Sequence, residues 1–109
     1  MILQISDDEN IKVKIANNFF KKLIGFMGKK DFDYGIIFPK TNSIHTFFMK
    51  ENIDVIMCDN DNKVLFVYKD IHKNKIIPPK NGVRKVFETP SGYFDIKINE
   101  RMIIKWMLL

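Results

Sequence analysis

The sequence is poor in the residues that staple a fold or grip a phosphate. Among 109 residues there is one cysteine, Cys58, and there are two arginines, Arg84 and Arg101. A lone cysteine excludes an intrachain disulfide and a cysteine-cluster metal site. It fits a reducing compartment, and Cys58 is expected to act as a small buried hydrophobe. The scarcity of arginine argues against bidentate readout of phosphates or bases, so nucleic acid is not the expected partner. Long apolar runs are also missing. The uninterrupted apolar runs are only a few residues long, such as Ile36-Ile37-Phe38 and Met107-Leu108-Leu109, whereas a membrane-spanning helix needs ~20 apolar residues. The N-terminus turns acidic at Asp7 and has neither the basic start nor the ~7–15-residue apolar stretch of a secretory signal. The expectation is a cytoplasmic protein with no membrane segment. No Gly-x-Ser-x-Gly, no His-Glu-x-x-His and no phosphate-cradling glycine loop occurs, and the two histidines are His45 and His72. No metal or cofactor is therefore expected.

What the chain does contain is ordinary for a folded protein: 46% hydrophobic and 28% charged residues, which excludes disorder. A chain of this length fits one domain, 1–109, and buries roughly 60–70% of its unfolded surface. The formal charge is +5. Lysine carries nearly all the positive charge, beside abundant isoleucine and asparagine and a single alanine, a bias that AT-rich codons would produce. The charge is also uneven. Between Lys69 and Lys85 lie Lys69, Lys73, Lys75, Lys80, Arg84 and Lys85 against Asp70 alone. Such a run reads first as a solvated loop and second as a polyanion site.

Periodicity places the elements. Ile2–Ile5 and Ile11–Ile15 read as strands around the turn Ser6–Asn10, the second alternating apolar residues with Lys12 and Lys14. From Asn17 the spacing of Phe19, Phe20, Leu23, Ile24 and Met27 predicts a helix of two to three turns, capped by Asn17 or Asn18 and closed by Gly25 or Gly28. Tyr34–Phe38, Ser43–Met49 and Ile53–Asp59 read as strands. Asp59–Asn62 is a hairpin turn leading to Lys63–Tyr68. In that last segment Val64, Phe66 and Tyr68 fall on one face and Leu65 and Val67 on the other, which predicts a central strand. Lys69–Gly82 reads as a loop, Val83–Thr89 as a strand, Pro90–Phe94 as a turn or single helical turn, and Met102–Leu108 as a final strand carrying Trp106. The expected class is mainly β with a minor α part: a compact antiparallel β-sandwich or partly open barrel with one short helix.

The densest polar group lies in Ile44-His45-Thr46-Phe47-Phe48-Met49-Lys50-Glu51-Asn52-Ile53-Asp54. If the strands Ser43–Met49 and Ile53–Asp59 pair, His45 and Asp54 come together, as in acid–base sites. The alternative is a hydrogen-bonded pair that holds two strands and a turn. Met27, Met49 and Met57 read as gap-filling core residues. One of Phe47 and Phe48 is expected at the surface, where with Tyr34 or Phe32 it could line an apolar pocket.

Four segments in a fixed order resemble one family, the domain of unknown function 192. They are Leu23-Ile24-Gly25-Phe26-Met27-Gly28-Lys29-Lys30 with the preceding Ala16-Asn17-Asn18-Phe19, then Gly35-Ile36-Ile37-Phe38, then Ile44–Lys50 with Ile53-Asp54-Val55-Ile56, and Val86-Phe87-Glu88-Thr89-Pro90-Ser91-Gly92. The resemblance runs from about Val13 to Met102. Lysine stands at Lys29 and Lys50 where the family usually has arginine, Asn52-Ile53 replaces a common Pro-Ile pair, Cys58 an aromatic, and Asn99-Glu100 a Gly-Asp turn. The resemblance implies a compact mainly-β fold and no established activity. Three functions remain open from the sequence. The leading one is a non-enzymatic binding or accessory domain for a small molecule or protein, with a site at His45, Phe47, Met49, Lys50 and Asp54. The second is a hydrolase or isomerase using His45 and Asp54, and the third a polyanion-binding module on the basic loop. Oligomeric state is not set by the sequence.

Overall fold

A computed structural model describes residues 2–4 and 10–105. Ile5, most of the turn after it, and Trp106 to Leu109 lie outside the described residues, as do the side chains of Phe19, Phe20 and Leu23. Nine strands are described: β1 (Ile2–Gln4), β2 (Asn10–Ile15), β3 (Gly35–Pro39), β4 (Ile44–His45), β5 (Ile53–Cys58), β6 (Val64–Ile71), β7 (Ile76–Ile77), β8 (Lys85–Pro90) and β9 (Ile103–Lys105). Helix α1 (Phe19–Ile24) is a turn and a half. Asn18 Oδ1 accepts from the Lys21 N–H at 2.9 Å to start it, and the Gly25 N–H donates to Lys21 O to end it. It is shorter than its apolar spacing predicts, because Gly25 turns to φ +48° and leaves Met27 beyond the last turn.

The protein is mainly β, and the described residues form two sheets and no closed barrel. The large sheet runs β6-β5-β8-β3-β2-β1-β9, and β4 pairs with β7 in a separate ribbon. The pairings are antiparallel except β2–β3, which is parallel across the connection that holds α1. A parallel pair needs a crossover of a dozen or more residues, and residues 16–34 supply it. The sheet also curls. The chain before β9 returns to the opposite edge, where the Val64 N–H donates to Glu100 O, the Asn99 N–H to Val64 O and the Met102 N–H to Asn62 O.

Strand β5 explains the core. All six of its residues are buried, and alternate side chains enter two separate clusters. Ile53, Val55 and Met57 join Ile36, Phe38 and Val86 on one face, under Phe26, Phe32, Met49 and Ile77. Ile56 and Cys58 join Ile11, Val13, Ile37 and Phe87 on the other, under Phe94, Ile96 and Met102. Each such side chain contributes about 1.5–3 kcal/mol by leaving water. Burial, reinforced by the neighbouring Asp59 charge, pushes the Cys58 thiol up to about 12, so it is a packing residue and not a nucleophile.

Three expectations change. Strand β6 lies at an end of the sheet rather than its centre, because β5 takes β8 as its second partner. Its predicted faces also fail. The ladder steps from Met57↔Phe66 to Cys58↔Val64, so Leu65 is the extra residue of a bulge, and Leu65, Phe66 and Tyr68 share one cluster while Val67 joins Val64 in the other. The segment Ser43–Met49 forms only the two-residue β4, paired with β7 inside the predicted loop and not with β5. The hairpin turn is as read: Asp59 Oδ1 accepts from the Asp61 and Lys63 N–H groups.

Asp54 is the polar member of β5, 2% exposed. Its Oδ1 accepts from the Asp70 N–H at 2.7 Å and its Oδ2 from the Gly92 N–H at 3.0 Å, with Lys69 Nζ 3.6 Å from Oδ2. The carboxylate thus ties the end of β6 to the turn after β8. Asp54→Ala leaves two backbone N–H groups and part of a lysine charge unpartnered. A loss of about 3 kcal/mol is expected in urea unfolding, with a fall in Tm on the order of 10 °C. A loss below about 1 kcal/mol would show that the network is incidental.

Candidate functional site

The face of the sheet carrying the first cluster opens into a cleft of about 520 Å³. Its walls are the end of α1 (Ile24, Gly25), Phe26, Phe38 of β3, the strap Ile44–Met49, and Ile76 with Pro78 and Pro79. That volume lies within the range of small-molecule sites, and the lining is mostly apolar.

At its base is an acid that the sequence reading gives no role. Period 2 sets Glu88 on the same face of β8 as Val86, and its cross-strand partners are Ile36 and Val55. Glu88 is 3% exposed. Among the described residues no side chain or backbone group hydrogen-bonds or ion-pairs with its carboxyl. Desolvation raises its pKa from the ordinary 4.5 to about 8, so at pH 7 it is predominantly a neutral acid with an O–H to donate. Gly25 closes over it. A Cβ at that position would lie 3.2 Å from Glu88 Oε1 and 3.4 Å from Phe38 Cζ. Glycine therefore serves twice here, for its positive φ and for the close approach. The sequence signals for Glu88 are a lone acid beside the apolar pair Val86-Phe87 and its place in one of the four segments that resemble the family.

The strap is held by Thr46. Its hydroxyl donates to His72 O at 2.7 Å and accepts from the Lys75 N–H at 2.8 Å, while its backbone N–H donates to Lys75 O. This fixes β4 against β7 and turns His45 towards the cleft. His45 Nδ1 accepts from the Phe47 N–H at 3.2 Å, which puts the proton of a neutral ring on Nε2. The His45 ring stacks on Phe47 with centroids 5.0 Å apart.

The sequence candidates are thus divided. His45, Phe47 and Met49 line the cleft. Lys50 does not: it lies in a polar depression with Lys30, Glu51, Asn52, His72 and Lys73, on the other side of Met49. Asp54 is in the network beneath β6, and the expected His45–Asp54 contact is not formed, because β4 never pairs with β5. The cations of the basic loop are used individually. Lys69 bonds Phe94 O and pairs with Asp54, Lys80 lies over the Phe66 ring, Arg84 donates to Val83 O, and Lys85 donates to Asn60 O and Asn62 Oδ1. Lys73 and Lys75 are exposed and flank the strap.

Fold and site together define a class: a small, curled, mainly-β domain with one buried acid at the base of an apolar cleft. The chain belongs to the DUF192 family, described as an uncharacterized ACR, whose sequence model matches residues 1–105. It is 37% identical over 90 residues to a UPF0127 protein of Thermococcus sibiricus, covering 77% of this chain and 58% of that one. It is also 37% identical over 102 residues to a UPF0127 protein of Pyrococcus horikoshii, covering 87% of each. The chain spans only 58%, 64% and 65% of the length of three Thermococcus relatives. A crystal structure of a protein of unknown function from Novosphingobium aromaticivorans superposes with a TM-score of 0.81 at 15% identity, covering 96% of this chain and 84% of that one. At that identity the likeness concerns the fold.

The Glu88 carboxyl links protons to stability. The folded state holds its proton up to about pH 8 and the unfolded chain only to about 4.5. Its contribution is therefore complete below pH 4.5, falls by up to about 1.4 kcal/mol per pH unit between those values, and is gone above 8. Glu88→Gln removes this slope. Its Tm is expected to gain steadily on the wild type from pH 5 to pH 8 and then run parallel. Profiles that stay parallel throughout would mean that Glu88 titrates normally.

Proposed function

We propose that this chain is a non-enzymatic binding domain that takes the apolar body of a small amphiphile in the cleft. Glu88 meets the ligand's hydrogen-bond acceptor. The observation that carries this reading is the buried carboxyl facing an apolar cavity, without a hydrogen-bond or ion-pair partner among the described residues. Leaving a polar group without a partner costs about 1–3 kcal/mol, and a ligand carbonyl or ether oxygen supplies what the fold does not. The neutral acid donates to such an oxygen without a net charge in the cleft. Lys22 at the mouth disfavours a cationic head, and His45 offers a second N–H from Nε2. Phe47 and Met49 pack on the ligand body, while Lys50 and Asp54 take no part in holding it.

A homologous series of medium-chain methyl esters, ketones and alkanes tests this by thermal shift and by displacement of a fluorescent apolar probe. A ligand at 100 times its Kd should stabilise the fold by about 2.7 kcal/mol, several degrees at this size. Esters and ketones are expected to bind more tightly than the alkane of equal length. Ile76→Trp, which fills the mouth from an exposed position, should abolish binding. Glu88→Leu should reduce ester affinity about tenfold while sparing the alkane. Affinity for the ester should fall as pH passes 8. No shift and no displacement by any member of the series would refute the reading.

A further inference from the structure

The strap that walls the cleft carries a second feature. Phe48 is 72% exposed and sits at φ +61°. A bulky side chain rarely adopts that region, and strain of this kind persists only where the surroundings enforce it. Here they do: Phe48 O accepts from the Gly28 N–H at 3.0 Å, while Thr46 and Met49 on either side are buried. The backbone thus turns the ring outward rather than letting it fold into the cleft. Ile24, Phe47 and Ile76, all exposed, line the cleft opening, and Phe48 follows Phe47 in the strap. Three large exposed apolar side chains at one opening, with Phe48 next in the chain, are more than the scattered exposure usual on a protein surface.

Charge surrounds them. Lys22 is at the cleft mouth, Lys29 lines the neighbouring depression across Ile24 and Gly25, and Lys30, Lys50 and Lys73 line the one beyond Met49. Acids lie here too: Glu51 Oε1 accepts from the Asp31 N–H at 3.0 Å, and Asp70 accepts from Asn52 Nδ2 at 3.0 Å and lies 3.9 Å from His72 Nε2. The lysines outnumber them. Exposed aromatics on the strap, beside depressions lined by lysines, match one kind of surface in both respects, an apolar layer beneath a negatively charged one. A protein surface offering an apolar pocket of that shape with acids around it would need a particular sequence. A bilayer offers it at every point.

We infer that the cleft rim docks on anionic lipid bilayers, with Phe48 entering the interface and the lysines pairing with headgroups. No described helix is long and apolar enough to cross a membrane, so the contact is peripheral and reversible. It also presents the cleft mouth to the medium in which apolar ligands concentrate. The inference stands on Phe48 and the lysines and does not require the cleft to bind anything.

Sedimentation of the full chain with vesicles tests it, comparing phosphatidylcholine alone with 30 mol% phosphatidylglycerol. The protein is expected to pellet with the anionic vesicles at least about tenfold more strongly, and to be released by 0.5 M salt. Phe48→Asn suits the positive φ better than phenylalanine does, so the fold should hold or gain stability. It is expected to reduce vesicle binding about tenfold while leaving ester binding in the cleft unchanged. Lys30→Glu combined with Lys50→Glu should abolish pelleting. Absence of pelleting with anionic vesicles overturns the proposal, and so does a Phe48→Asn variant that pellets like the wild type. A concentration-dependent dimer lost in Phe48→Asn, with no vesicle binding, would assign the rim to a second copy and overturn it equally.

Discussion

Burial of β5 and β8 on both faces is the constraint from which the rest of the structure follows. A strand pair with cores above and below it has no solvent side on which to place charge, so each polar residue within it must be satisfied or neutral. Two carboxyls occupy this pair, and they meet the constraint in opposite ways. Asp54 lies at the strand end, within reach of the turn after β8 and of Lys69, and backbone N–H groups fill its oxygens. Glu88 lies in the middle, between Ile36 and Val55, and keeps its proton. One is a tie in the fold, the other a polar point left open towards a cavity.

The cleft exists because the first cluster is covered by irregular chain rather than by a second sheet. The strap Ile44–Met49, the turn after α1 and the segment around Pro78-Pro79 meet over that face without filling it. Irregular chain has its own backbone groups to satisfy. Thr46 answers that need for the strap, using its hydroxyl and both backbone groups on His72, Asn74 and Lys75. The same arrangement holds His45 and Phe47 at the rim. Polar bonding thus supplies the rigidity that apolar contact does not supply at an opening.

Much of the fold was legible. Alternation marked β2, the largely apolar run marked β5, and the Asp59–Asn62 turn marked the hairpin, while for α1 the structure takes Asn18 from the pair Asn17 or Asn18 and Gly25 from the pair Gly25 or Gly28. Each of these signals is local: a face, a cap or a turn residue acts within a few positions. The cleft residues His45, Phe47 and Met49 were legible as a dense motif. Their supposed partner Asp54 was not theirs, because proximity in sequence was taken for proximity across strands.

By itself, then, the sequence determined the mainly-β class, the positions of most strands and the segments that identify the family. Those depend on periodicity and on the conformational limits of single residues. Tertiary structure alone decided which strands pair. It joined β4 to β7, set β2 parallel to β3, put a bulge at Leu65, and moved β6 to the end of the sheet. It also decided the chemistry of the acids. Desolvation depends on everything packed around a group, so Glu88 is an unremarkable letter in the sequence and a neutral acid in the fold.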